Sequence, residues 1–408
     1  MNILYISDVF FPRINGVSTS IATCRKHLLH AGHRVVLIAP EYPQRFDDDK
    51  DILRIVSKKI LFDPEDRLMK SSAIKELLTY LKTIEFDIIH IHTPFVAHYM
   101  GLYLSKHLNI PCIETYHTFF EEYLYHYIPV IPKRWLRKLA KSITRKQCNQ
   151  IDHVIVPSSA INDVLKKYGV TTTRSLIPTG IELDQLNHGD KKRFKEKYAI
   201  NEDRPILLNV GRVAHEKNIG FLIRMLTHVW QEIPEVLLVI AGEGPAEKSL
   251  QKTALSLGLQ DNILFIGYQQ RMTGLNDCYA SGDIFIFSSN TETQGLVLLE
   301  AMACCIPVVS TAVLGTRDIL IDCPAAIIAN QDESDFAEKV VQLLDDDSTR
   351  KKMAAQALIY AHRWSATALS HQVLKLYQDI INNRYETARL TDAALTVGDT
   401  LTDVEQDS

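Results

Sequence analysis

Short runs of aliphatic and β-branched residues alternate with longer amphipathic stretches along the first half of the chain. Strand-like runs fall at 2–8, 34–40, 87–92, 112–116, 153–157 and 175–178, and apolar positions at helical spacing fill 18–30, 73–84, 96–107, 133–148 and 160–168. Nearly continuous apolar strands separated by helices predict parallel sheets covered on both faces. Around 182–204 the pattern dissolves into charge, with Leu183, Leu186, Phe194 and Tyr198 among its few large apolar residues, and a domain boundary belongs there. The alternation restarts at Pro205, with strand-like runs at 205–211, 236–241, 262–266, 283–288 and 307–310 and closing helical patterns at about 335–360 and 364–381. Two doubly wound α/β domains in tandem are the simplest architecture, with a ligand expected at the carboxyl ends of the strands, where the domains face each other.

A chain of 408 residues is long enough for two full-sized cores. An apolar share of 46%, a charged share of 23% and a formal net charge of −4 argue against wholesale nucleic-acid binding. That charge is unevenly divided: residues 1–184 carry 24 Lys and Arg against 19 acids, and 185–408 carry 21 against 30. Six acids and one Arg in 385–408 predict a disordered acidic tail, with an added helix as the second reading. The seven cysteines include no C-x-x-C pair and read as reduced cytosolic thiols. Met1 leads straight into an apolar run with no charged leader, and no apolar stretch approaches the ~20 residues that span a bilayer, so a chain neither secreted nor integral is expected.

Three strand ends carry candidate chemistry. After 205–211, Gly211-Arg212-(x4)-Lys217-Asn218 places two cations around the start of a helix, where unpaired amides and the helix dipole favour a diphosphate. By itself this pair is more often two solvated loop cations. Ala241-Gly-Glu243-Gly-Pro245 lacks the third glycine of a dinucleotide fingerprint and does not follow the first strand of its domain, which argues against NAD. In the third, Glu292-Thr-Gln294-Gly295-Leu296 leads into a helix holding Glu300 about one and a half turns in, so the two carboxylates are set to hold different parts of one extended ligand. Two D-x-D triplets, 47–49 and 345–347, lie in a polar loop and at a helix end and read as solvated charge, so no metal site is expected.

Glu292 and Glu300 in the E-x7-E pattern, with Gly211-Arg212, Lys217-Asn218, Ala241-Gly-Glu243-Gly-Pro245 and Glu300-Ala-Met-Ala303, resemble the family 4 retaining glycosyltransferases of the GT-B fold. The resemblance spans about residues 1–381. The loop Ser7–Ser18, with Gly16, and Glu114-Thr-Tyr116-His117-Thr118 are similar to the family's N-terminal motifs. The resemblance implies an acceptor-binding domain at 1–184, a nucleotide-sugar domain at 185–363 and a helix at 364–384 packing back on the first domain. It also implies Glu300 on the ribose hydroxyls, Glu292 and His117 on the donor sugar, and Arg212 and Lys217 on the diphosphate. Gly16, Gly211, Glu243, Gln294 and the amides of Gly295 and Leu296 would complete the donor site. The expected catalytic set is His117, Arg212, Lys217 and Glu292, with the nucleotide sugar as co-substrate and no cofactor. His90 and His92 read as structural. Cys305 stands where relatives usually have glycine, which bears on the local turn.

Residues 132–149 hold seven cations and no acid, with Leu136, Leu139, Ala140 and Ile143 on one helical face and Trp135 at its margin. Such a helix suits either core packing with a solvated basic face or an anionic membrane surface. Tyr116, Phe119, Trp135, Arg137, Lys138 and Lys141 are therefore candidate acceptor or membrane residues. The aromatic stretch 116–128 and Thr291–Gly295 resemble the subgroup that glucosylates diacylglycerol, and phosphatidylinositol mannosyltransferases share much of the pattern. The expectation is a hexosyltransferase taking UDP-glucose or GDP-mannose to a lipid or glycan hydroxyl at the inner membrane face. The alternatives are an epimerase or glycan phosphorylase on the same fold, or an inactive sugar-nucleotide sensor or scaffold.

Overall fold

The computed structural model describes residues 1–44, 47–60, 63–117, 133–186, 188–270 and 273–402. Among these, two parallel sheets dominate. The first is ordered β3-β2-β1-β6-β7-β8-β9: β1 (Asn2–Ile6), β2 (Arg34–Pro40), β3 (Ile52–Ile55), β6 (Ile88–Ile91), β7 (Cys112–Thr115), β8 (His153–Val156) and β9 (Arg174–Leu176). A small antiparallel hairpin, β4 (Ser57–Ile60) and β5 (Asp63–Met69), stands beside it. The second sheet is ordered β12-β11-β10-β13-β14-β15: β10 (Ile206–Val210), β11 (Leu237–Ala241), β12 (Ile263–Gly267), β13 (Ile284–Phe287), β14 (Val308–Thr311) and β15 (Ala326–Ala329). In each sheet the chain winds outward from a central strand, returns, and continues on the other side. The order reverses between β1 and β6 and between β10 and β13, and such switch points are where α/β sheets bind ligands. This is the GT-B fold, two Rossmann-like domains.

Burial on both faces explains the apolar runs. Leu4 and Ile6 of β1 join one core cluster while Ile3 and Tyr5 join another across the sheet. Likewise Leu207 faces one layer of the second domain, and Ile206 and Leu208 the other. The helix Ala366–Thr402 then returns to the first domain, where Val373 and Tyr377 pack with Tyr5 and Ile21. Ile181 is bridged to the start of this helix by backbone hydrogen bonds to Trp364 and from Ala366.

Several expectations need correction. The helix runs on to Thr402, the second reading of the acidic tail; alanines and leucines spaced among the acids of that segment favour a helix despite its charge. The single pattern at 335–360 is two helices, Glu333–Asp345 and Asp347–Ala361, broken at Asp346, whose carboxylate accepts from Thr349 N. The strands β3 and β15 escape the periodicity because they are partly buried edges, and β4 and β5 because they are rich in charge. In the charged boundary, Asp190 caps a short helix, Lys191–Lys197.

Cys305 follows the helix Leu296–Ala303 with φ at 59°, a left-handed conformation that costs a side-chain-bearing residue about 1–2 kcal/mol. Cys305→Gly is expected to raise the unfolding free energy by about 0.5–1 kcal/mol, since glycine's greater freedom in the unfolded chain offsets part of the relief. Urea unfolding measures it, and a destabilised variant would contradict the strain reading.

Candidate active site

The loops after β10, β11 and β12 are laced together by backbone hydrogen bonds from Gly211 N to Ala241 O, Val213 N to Glu243 O and Gly242 N to Gly267 O. Two glycines here are required by contact: a Cβ on Gly242 would lie 1.9 Å from Gly211 O, and one on Gly244 2.3 Å from Val213 O. A Cβ on Gly211 would meet nothing within 4 Å, so that glycine borders open space. Beyond it, a 3-10 turn, His215–Lys217, leads through left-handed Asn218 into the helix Ile219–Glu232. Asn218 Nδ2 donates to Ser288 O and Ser288 Oγ to Asn218 O, which joins this loop to the one after β13.

That junction brings Lys217 to Glu292, with Nζ 2.5 Å from Oε1. Both side chains are largely buried, so the pair fixes an ammonium at the loop junction rather than leaving two solvated charges. Arg212 lies 3.7 Å from Glu216 and stays partly exposed. Glu300 is 6% exposed in the helix Leu296–Ala303, and Tyr279 Oη donates to its Oε2 at 2.9 Å. This hydrogen bond supplies the partner that a carboxylate in an apolar sequence requires. Gly295, at φ 101°, turns the chain into that helix with Leu296 as its first residue. Glu243 is exposed, and its Oε1 accepts from Tyr268 N at 3.3 Å.

From the first domain, Gly16 opens the helix Gly16–His30 beneath a capping box of Asn15 and Ser18, and a Cβ there would meet nothing. His117 follows β7 and meets His92, which follows β6: His92 Nδ1 lies 3.3 Å from His117 Nε2 and the rings are stacked. Burial pushes His117 down to about 4 and holds His90 and His92 well below the usual histidine range, so all three are neutral near pH 7. Thr293 Oγ1 donates to His117 O across the interdomain cleft, which brings Glu292 and His117 to one site.

The family profile described as Glycosyltransferase Family 4 matches residues 14–185, and that described as Glycosyl transferases group 1 matches 190–359. The alpha-monoglucosyldiacylglycerol synthase of Streptococcus pneumoniae is 33% identical over 325 residues, 76% of this chain and 71% of the relative. The chain belongs to the family 4 glycosyltransferases. It is a hexosyltransferase that uses a nucleotide sugar. The Acholeplasma laidlawii protein of the same description is 29% identical, over 76% of this chain and 80% of its own. A sucrose-phosphate synthase from Thermosynechococcus elongatus shares the fold with a TM-score of 0.76 at 21% identity, covering 94% of this chain and 99% of its own.

Some candidate residues of this glycosyltransferase sit elsewhere than expected. The Gln294 amide is engaged with the first domain, accepting from Thr179 N and donating to Thr179 O at 2.7 Å each, so its side chain bridges domains rather than facing a donor. Tyr116 is 5% exposed and lies in the hydrophobic core, because it continues the buried face of β7, which removes it from an acceptor surface. Phe119 lies outside the described residues. On the helix Lys133–Cys148, Leu136, Ala140, Thr144 and Gln147 turn inward, whereas Leu139 is exposed. Trp135, Arg137, Lys138 and Lys141 are also exposed, with Lys138 over the Trp135 ring. In the D-x-D triplets Asp48 pairs with Arg54, Asp49 with Arg25, and Asp347 with Arg350 and Lys351.

Sequence reasoning did not single out Thr179, Tyr279 or Thr293, and it read His92 as structural. His92 alone leaves a local trace: in the H-x-H of His90 and His92, both rings point to one side of the strand.

Proposed function

We propose that this glycosyltransferase moves glucose from UDP-glucose to the hydroxyl of diacylglycerol at an anionic membrane surface, with retention of configuration and without a metal ion. The observation that carries the acceptor side is the helix Lys133–Cys148. It packs through Leu136, Ala140 and Thr144 and leaves Trp135 58% and Leu139 46% exposed among its cations. An exposed aromatic and an aliphatic residue ringed by lysines and arginines match an interfacial anchor better than a solvated face. Two relatives described as alpha-monoglucosyldiacylglycerol synthases support the same acceptor.

On the donor side, Glu300 accepts from the ribose hydroxyls, and Arg212 and Lys217 receive the diphosphate together with the amides of Gly295 and Leu296. Glu292 and His117 hold the sugar hydroxyls. The acceptor oxygen attacks the anomeric carbon on the face from which the nucleotide leaves. The bond from that carbon to the β-phosphate oxygen breaks, and the hydroxyl proton passes to the departing phosphate. Fixed cations offset the charge that develops on the leaving group, the work a divalent ion does elsewhere.

The donor assignment is tested by thermal shift with UDP-glucose against GDP-mannose, since a ligand of the native state raises the melting temperature. Stabilisation by GDP-mannose alone would overturn it. For the membrane, sedimentation with vesicles containing anionic phospholipid is expected to capture the protein. Neutralising Lys138 and Lys141 to Gln should weaken that capture by about 30-fold, at roughly 1 kcal/mol per cation. Equal binding to vesicles of neutral lipid alone would contradict it.

A further inference from the structure

His117 stands on a row of aromatic rings rather than in isolation. Behind it lies His92, then His90, with His90 and His92 ring centroids 4.0 Å apart and Tyr5 4.5 Å from His92 on another side. The row is immobilised at its base, because both His90 nitrogens are engaged: Nδ1 with Tyr377 Oη at 2.5 Å and Nε2 with Thr115 Oγ1 at 2.6 Å. Tyr377 arrives on the C-terminal helix, and its hydroxyl also meets that of Tyr5. The ring next to His117 is therefore held against it from within the core.

The hydrogen bond between His92 and His117 has a direction that the surroundings decide. His92 is 3% exposed, and burial keeps it neutral, so it carries one N–H. Its Nε2 is buried and has no hydrogen-bond partner among the described residues. If the proton sat on Nε2, a buried N–H would be left with no acceptor, the rarer and costlier defect. Placed on Nδ1, the proton is donated to His117 Nε2 and a lone pair is left in the apolar interior. His117 then takes its single proton on Nδ1.

We propose that His92 is a positioning residue for His117: its Nδ1–H holds the ring plane and sets the tautomer, so that His117 offers an N–H donor to the transferred sugar. This rests on the reading that His117 contacts the donor sugar. A neutral donor at that place orients a sugar hydroxyl without adding a charge beside the anomeric centre. For metal-bound histidines a partner that fixes tautomer and orientation is worth about 10–100-fold, and a loss of that order is expected here.

The test is steady-state kinetics of the full chain with UDP-glucose and diacylglycerol in mixed micelles. His92→Phe keeps the ring but not the donor, and is expected to lower kcat about 10–100-fold with the KM for UDP-glucose changed less than about threefold. His92→Asn, whose amide N–H falls near the position of Nδ1, is expected to recover most of the loss. His92→Gln, which reaches toward the position of Nε2, is not, and this pair decides the matter if the Phe variant fails to fold. In the background of His117→Ala, His92→Phe is expected to add nothing, because both act through one group. The same loss from His92→Phe in both backgrounds, or equal activity of the Asn and Gln variants, would overturn the proposal. Normal kcat in His92→Phe beside an impaired His117→Ala would overturn it while leaving the His117 reading intact. Full activity of His117→Ala would overturn both.

Discussion

Lys217→Ala is expected to lower kcat by at least about 1,000-fold while the melting temperature stays within a few degrees of the parent. Two effects combine. The variant lacks the ammonium that meets charge on the departing diphosphate, and it leaves Glu292 without the partner 2.5 Å away that holds it. An unpaired carboxylate beside a diphosphate then adds repulsion where attraction stood. Lys217→Arg keeps the charge but not the compact point geometry and is expected to fall between the two. Near-normal turnover in Lys217→Ala, measured as UDP release, would remove this cation from the mechanism.

Glu300→Gln is the second large effect, and it appears in donor recognition. Tyr279 Oη donates to Glu300 Oε2, and the amide oxygen of Gln continues to accept that bond. What is lost is a charged acceptor for the ribose hydroxyls. Hydrogen bonds to charged groups contribute ~1.5–3 kcal/mol, so two weakened ones predict a fall in kcat/KM of about 100-fold. Most of it is expected in the KM for the nucleotide sugar, because the ribose does not change during transfer. An unchanged donor KM in Glu300→Gln would place the ribose elsewhere.

The sequence carries what is local and repetitive. Nearly continuous apolar runs mark strands buried on both faces, and the glycines and charges between them mark loops at two switch points. Gly211, Arg212, Lys217, Glu292 and Glu300 stand out through the motifs shared with the family; without them Arg212 and Lys217 read as solvated loop cations, and only the apolar surroundings of Glu300 in its helix mark it locally. Pairings between distant segments leave no such trace. Nothing near Lys217 predicts Glu292 as its partner, nor does anything near Gln294 predict that Thr179 takes its amide. His92 reads as structural because its contact with His117 depends on β6 and β7 being neighbours in the sheet. Periodicity also fails at edges, where strands such as β3 and β15 are only partly buried. On the basic helix it assigns Leu139 inward by spacing alone, although the packed face runs through Leu136, Ala140 and Thr144 and leaves Leu139 exposed.

The retained anomeric configuration and the lipid acceptor converge in one experiment. The purified protein is incubated with UDP-glucose in EDTA, with and without diacylglycerol in anionic mixed micelles, following UDP release and the anomeric proton of the extracted lipid by NMR. UDP release that requires diacylglycerol, persists in EDTA and yields the α-glucosyl lipid is the predicted result. A β-linked product, a requirement for added metal, or UDP release that ignores diacylglycerol would contradict it.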